Sequence, residues 1–246
     1  MLRSRISPYL LIKSRGLVKT RQFSDPKYVG DPINAVKIFN EKEVDELTLL
    51  DIDATSKNSE PDYELLSDIA AESRMPLCYG GGVKNAEQAA RIISLGYEKV
   101  SISSLALDDP FSIEKLAHRI GTQSVVVTLD VKHTGHFGDY RIFTHNGRKK
   151  HDIDLTKFVL EAQDRGAGEI VINSIERDGM MQGYDIKLAK HIRDAVSLPI
   201  SFVGGVGSVA HIAELINEIG PVGAGVGSFF VFKGPYRAVL ISYSRP

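Results

Sequence analysis

One pattern recurs half a chain apart, and few folds can accommodate it. Gly81-Gly82-Val83 returns as Gly204-Gly205-Val206 at an offset of 123 residues, and Asp45-Glu46-Leu47-Thr48-Leu49 returns as Gly168-Glu169-Ile170-Val171-Ile172 at the same offset. Ser103-Ser104 returns as Gly227-Ser228 at 124, and Tyr9-Leu10-Leu11-Ile12-Lys13 aligns under Thr128-Leu129-Asp130-Val131-Lys132 at 119. The longest of these runs, Val125-Val126-Val127-Thr128-Leu129, is what a fully buried parallel strand needs, and it leaves the sheet at a carboxylate.

Around these landmarks strands and helices alternate. Strands are expected at 5–13, 46–52, 76–79, 99–103, 125–132, 169–174, 200–203 and 222–226. Helices are expected at 31–43, 63–73, 87–95, 110–120, 155–165, 187–195 and 209–219. Pro32 suits a first helical turn and Gly96 a C-terminal cap. Residues 14 to about 30 read as a polar loop, longer than the roughly 2–6 residues usual there. Asn146-Gly147 between 140–144 and 149–153 signals a hairpin. After Phe232 only 14 residues remain, and 238–243 looks more like strand than an eighth helix. Eight units in two halves, roughly 1–122 and 123–246, imply one α/β domain, a (βα)8 TIM barrel built by duplication. An open doubly wound sheet explains a two-fold repeat less directly.

A chain of 246 residues suffices for such a core. A net charge of −1 argues against a nucleic-acid partner, and the single cysteine, Cys78, fits a reducing compartment. No apolar run approaches the roughly 20 residues of a membrane helix. Arg3, Arg5, Lys13 and Arg15 flank a segment too short for a targeting signal, so it reads as the first strand and a cytoplasmic location is the default.

In such barrels chemistry gathers at the C-terminal strand ends. Gly81 and Gly82 would let backbone N–H groups approach an anion, with Ser103 and Ser104 adding hydroxyls; Gly204, Gly205, Gly227 and Ser228 repeat the device. A tight turn explains one glycine pair equally well, but two related copies point to a ligand phosphorylated at both ends. Asp51, Asp53 and Asp178 fall at strand ends too, with capping or turn roles as the alternative. Lys19 would clamp a ligand or be a solvated loop charge. His133 and His136 show no metal spacing, Arg148-Lys149-Lys150 reads as a solvated hairpin tip, and Cys78 as buried packing. At the opposite face Arg5, Glu46, Lys99 and Glu169 stand at or near strand starts. They could close the barrel floor as a salt-bridged ring or be ordinary surface charges.

Together these residues resemble the cyclase subunit of imidazole glycerol phosphate synthase, the HisF family, from Arg5 to about Phe232. The most specific pieces are Leu17-Val18-Lys19, 45–51, Gly80-Gly81-Gly82-Val83, 125–132, Arg165-Gly166-Ala167-Gly168-Glu169-Ile170, 174–185 and Val203-Gly204-Gly205. The resemblance implies a glutaminase (HisH-like) at the N-terminal face and ammonia passing a charged gate of Arg5, Glu46, Lys99 and Glu169. It implies attack on a bisphosphorylated substrate, catalysis by Asp130, and substrate contacts from Lys19, Asp51, Asn173 and Asp178. No cofactor or metal is expected.

Three departures matter. The second catalytic aspartate of the family falls on Leu11, its neighbouring cysteine on Tyr9, and an active-site asparagine on Ser103. Leucine moves no proton, so cyclisation should suffer while the ammonia route is kept. Tyr28-Val29-Gly30-Asp31-Pro32, Met75-Pro76-Leu77-Cys78-Tyr79 and Lys233-Gly234-Pro235-Tyr236-Arg237 resemble second copies found beside surface-polysaccharide genes, which are thought to supply ammonia to a sugar amidotransferase. The resulting expectation is a conduit with a different acceptor. The alternatives are a true cyclase running on Asp130, or a scaffold that activates the glutaminase. If 239–243 leaves a barrel flank uncovered, another chain is expected to cover it.

Overall fold

The structure, a computed structural model, describes residues 3–135 and 139–245. Eight parallel strands close on themselves: β1 (Arg5–Lys13), β2 (Leu47–Asp51), β3 (Leu77–Gly80), β4 (Lys99–Ile102), β5 (Val125–His133), β6 (Glu169–Ser174), β7 (Ile200–Val203) and β8 (Gly223–Val226). Closure is made by β8 against β1, with Arg5 opposite Gly223 and Pro8 opposite Val226. Helices α1 (Pro32–Glu41), α2 (Tyr63–Glu72), α3 (Ala86–Ser94), α4 (Phe111–Ile120), α5 (Leu155–Asp164), α6 (Ile186–Ala195) and α7 (Val209–Ile219) follow the first seven strands in turn. The expected (βα)8 barrel is the fold observed.

Strand alternation sorts the side chains into two sets. Leu10, Ile12, Leu47, Leu49, Val100, Val127, Leu129, Ile170 and Ile172 face outward, buried under Phe39, Leu66, Ile92, Leu116, Phe158, Ile192 and Leu215 of the helices. That shell is the main core, and each such side chain contributes about 1.5–3 kcal/mol by leaving water. Six helices begin on a side-chain cap: Asp31, Asp62, Asn85, Asp154, Asp185 and Ser208 each accept a backbone N–H three residues on. Each cap adds about 1 kcal/mol and fixes where strand end gives way to helix.

Two regions depart from expectation. Residues 14 to 30 are no loop: Gly16–Arg21 and Ser24–Gly30 form an antiparallel hairpin that extends β1, with Leu11 opposite Val18. The tail pairs only Ala238–Val239 with Phe232–Lys233, then runs extended. Ser242 N–H donates to Phe230 O (2.8 Å), Tyr243 packs on Phe230, and Arg245 reaches Asp45 (2.9 Å). The tail thus packs on the barrel at these points, although Leu240 and Tyr236 stay exposed. The second hairpin, Tyr140–Thr144 with Lys149–Asp154, forms as expected beside β5. No described helix is long and apolar enough to cross a membrane.

Candidate functional site

The floor of the barrel is a closed ring of ion pairs. Arg5 meets Glu46 at 3.2 Å and Glu169 at 2.7 Å; Lys99 meets both carboxylates at 2.8 Å. The four charges come from the starts of β1, β2, β4 and β6, so the ring spans the bore. Ser201 on β7 adds a hydrogen bond to Glu169 (2.5 Å). Burial opposes the charge on Glu169, but Lys99, Arg5 and these hydrogen bonds outweigh it and hold the carboxyl below its ordinary range. Of the two readings left open, the ring is the arrangement observed.

Above the ring the bore turns apolar. Tyr9, Leu50, Cys78, Val126, Val171 and Val203 form a cluster of inward-facing side chains. Tyr9 occupies this collar because β8 presents only glycines to the interior. A Cβ on Gly223 would lie 1.8 Å from Ser201 Oγ and one on Gly225 would lie 2.8 Å from the Tyr9 ring; just past the strand, one on Gly227 would lie 3.4 Å from Lys19 Nζ. Cys78 is buried here and burial pushes its thiol pKa up, which fits the packing role. Ser101 and Thr128 share a hydrogen bond of 2.7 Å just above.

At the C-terminal ends of the strands a cavity of about 640 Å³ opens, lined among others by Leu11, Lys19, Asp51, Ser103, Asp130, Asn173 and Asp178. Its size suits a small-molecule ligand. A larger shallow groove, about 780 Å³, runs between α4 and α5 on the outer flank and holds no strand-end residue. Asp130 accepts the Asn173 amide (2.9 Å), and burial pushes its pKa up to about 7, a value suited to proton transfer near neutrality. Leu11 lines the same cavity and supplies no second acid.

The other expected residues are present with local partners. Asp51 Oδ1 accepts the N–H groups of Asp53 and Ala54 (3.0 and 3.1 Å), a turn role, while burial raises its pKa. Asp53 pairs with Lys57 at 2.7 Å. Asp178 accepts from Thr20 Oγ1 (2.6 Å) and Phe23 N–H (3.2 Å), so it fastens the first hairpin over the mouth. Lys19 is no solvated charge: it is 5% exposed, donates to Tyr9 O, and burial brings its pKa down to about 8.

Gly81, Gly82, Ser103, Ser104, Gly227 and Ser228 line the cavity; Gly204 and Gly205, expected to do the same, are not in its lining. Gly205 has φ 104°, and a Cβ there would lie 2.0 Å from Gly183 O, so close backbone approach alone demands that glycine.

Sequence reasoning missed the rim. The hairpin tips meet above the mouth, where a Cβ on Gly147 would lie 3.6 Å from Phe23 and Ile175. The fold-back brings His145 and Arg148 into the lining, beside Lys132. Arg148 is therefore more than a solvated tip, though it is exposed like Lys149 and Lys150. His133 and the other described residues form no metal-binding group, and His136 lies outside the described residues.

Comparison with known proteins agrees with this geometry. The model of a family described as histidine biosynthesis protein matches residues 5–236. A Vibrio vulnificus (strain YJ016) protein, provisionally named imidazole glycerol phosphate synthase subunit hisF3, is 55% identical over 246 residues, all of this chain and 95% of the relative. A Leptospira borgpetersenii protein provisionally named as the HisF subunit is 52% identical, covering 99% of this chain and 96% of the relative. A Pseudomonas aeruginosa protein provisionally named as subunit hisF2 is 49% identical at the same coverage.

Proposed function

From its membership of the histidine biosynthesis protein family, to which this chain belongs among subunits of the HisF type, we propose that it conducts ammonia from a glutaminase to an acceptor other than the one closed into imidazole. The glutaminase (HisH-like) docks at the floor, the ring admits ammonia, and the apolar collar favours the neutral molecule over the ion. The acceptor is a phosphorylated small molecule held at the mouth by the glycine and serine grips and Lys19. A sugar amidotransferase of surface polysaccharide synthesis is the receiving enzyme or its neighbour. The copy numbers in two relatives' names, hisF2 and hisF3, support placing the chain among additional copies.

The observation that carries this reading is the contrast between the two ends. All four charges of the floor are paired, whereas at the mouth Leu11 lines the cavity beside Asp130, and Asp51, Asp53 and Asp178 of the same lining are engaged by local partners. General acid–base help is worth about 10²–10⁴-fold in rate. Purified chain, bisphosphate substrate and high ammonium should therefore give slow ring closure, accelerated about 10²-fold or more by Leu11→Asp. A native chain as fast as that variant would overturn the proposal. In a complex co-purified with its glutaminase, amide-¹⁵N from glutamine should reach the product, and Glu46→Gln should cut that transfer while ammonium-fed reaction persists.

A second reading, a true cyclase, is favoured by the raised carboxyl of Asp51, which could stand in for the missing acid. Loss of ring closure in Asp51→Asn at unchanged stability would support it.

A further inference from the structure

The roof of the bore holds an acceptor that nothing in the protein satisfies. Asn173, on β6, is 8% exposed, and its Nδ2 is committed to Asp130 Oδ1 at 2.9 Å. Its Oδ1 is buried without a hydrogen-bond partner among the described residues. A Cβ on Gly204, just past β7, would lie 3.5 Å from that atom and 2.7 Å from Ser174 O, so this side is closed by backbone, and it is the strand-end cavity that Asn173 and Asp130 both line. Ser101 and Thr128, just below, are turned to each other and make no bond to it. Buried polar atoms are nearly always paired, so an orphan beside a carboxylate in a cavity wall asks for a ligand.

The chemistry of the two groups narrows what that ligand is. Asn173 Oδ1 and the Asp130 carboxylate both accept, so a phosphate or carboxylate oxygen there would face lone pairs. A ligand atom shared between them must carry at least two N–H or O–H groups, and the carboxylate favours a cation.

We propose that Asp130 and Asn173 Oδ1 bind ammonium at the top of the bore. This rests on the conduit reading and identifies where the delivered nitrogen is held. Ammonia arriving neutral takes the proton of the Asp130 carboxylic acid: one N–H bond forms, one O–H bond breaks, and ammonium stays against the carboxylate. Return of that proton to Asp130 restores the lone pair for attack on the acceptor.

The test needs no acceptor. Carboxyl-¹³C NMR of the whole chain follows the titration of Asp130, its resonance assigned by loss in Asp130→Asn, in ammonium, sodium and tetramethylammonium chloride at equal ionic strength. Ammonium should lower the midpoint by about one unit relative to sodium; tetramethylammonium, which cannot donate, should match sodium. Asn173→Leu, or Asn173→Ala should the leucine variant fold poorly, should abolish the ammonium-specific shift. Equal midpoints in ammonium and sodium, an equal shift in tetramethylammonium, or a shift surviving the Asn173 variants would each overturn the site. None of these results decides the ¹⁵N transfer assay, through which the conduit itself fails or stands.

Discussion

Removing Lys99 from the floor tests whether the ring is a single electrostatic unit. In Lys99→Met, Glu46 and Glu169 lose a cation that stands 2.8 Å from each, with side-chain exposures of only 10% and 7%. Breaking a buried pair from one side typically costs about 3–5 kcal/mol, because the remaining charge stays desolvated. Arg5 still holds both carboxylates from a more exposed position, so the lower end applies, about 3 kcal/mol. In a chain of this size that is a fall in Tm of about 6–12 °C. The pH dependence follows from Glu169, whose pKa is depressed in the native protein. Its contribution is present above the unfolded carboxylate pKa and is lost as pH falls through the folded value. The gap between native and variant should therefore be widest near neutrality and shrink toward acid, as protonation relieves the unpaired carboxylate. Urea unfolding at pH 7 and at about pH 4.5 measures both. A loss under about 1 kcal/mol at neutrality, or an equal loss at the two pH values, would refute the ring as a coupled unit.

Gly205→Ala should cost more than about 3 kcal/mol, since the new methyl meets Gly183 O, whereas Gly234→Ala, also at positive φ but in open space, should cost about 1. Equal urea midpoints for the two would contradict the close-approach argument. Inorganic phosphate binding by calorimetry should weaken as pH rises through about 8, where Lys19 loses its proton, and that dependence should vanish in Lys19→Met. Asp178→Ala should free the first hairpin at a local cost of about 1–2 kcal/mol, seen as faster tryptic cleavage after the exposed Arg21.

Where local chemistry set the structure, it was readable. The strands carrying Asp130 and Asn173, the strand-start positions of the floor charges and the Asn146-Gly147 turn follow from patterns within a few residues, although β5 runs on past Asp130 to His133 because the second hairpin pairs with it. The first hairpin was not readable, and the reason is specific. Its two turns put Ser14, Arg15, Gln22 and Phe23 at positive φ (48°, 64°, 49° and 63°), positions usually marked by glycine or asparagine. Asp178, 155 residues from Phe23 in sequence, supplies the bonds that fasten the tip of that hairpin. The ordered tail escaped for a similar reason, since Tyr243 and Arg245 are fixed by Ile6, Glu43 and Asp45 near the other end of the chain. The rim position of Arg148 depends on where two hairpin tips meet, which no local window contains.

The bare inner face of β8 has a consequence for engineering. Ser201 at the bottom and Tyr9 at mid-depth fill room that this one stave leaves vacant, and Lys19 stands beside Gly227 just past its end. A methyl added at 223 would thus press on the ion-paired base and one at 225 on the greasy girdle above it, whereas one at 227 would only touch the Lys19 ammonium in ordinary contact. Single alanines at the two strand positions, with the third as a control, form a ruler that should separate crowding at the base of the barrel interior from crowding at mid-depth.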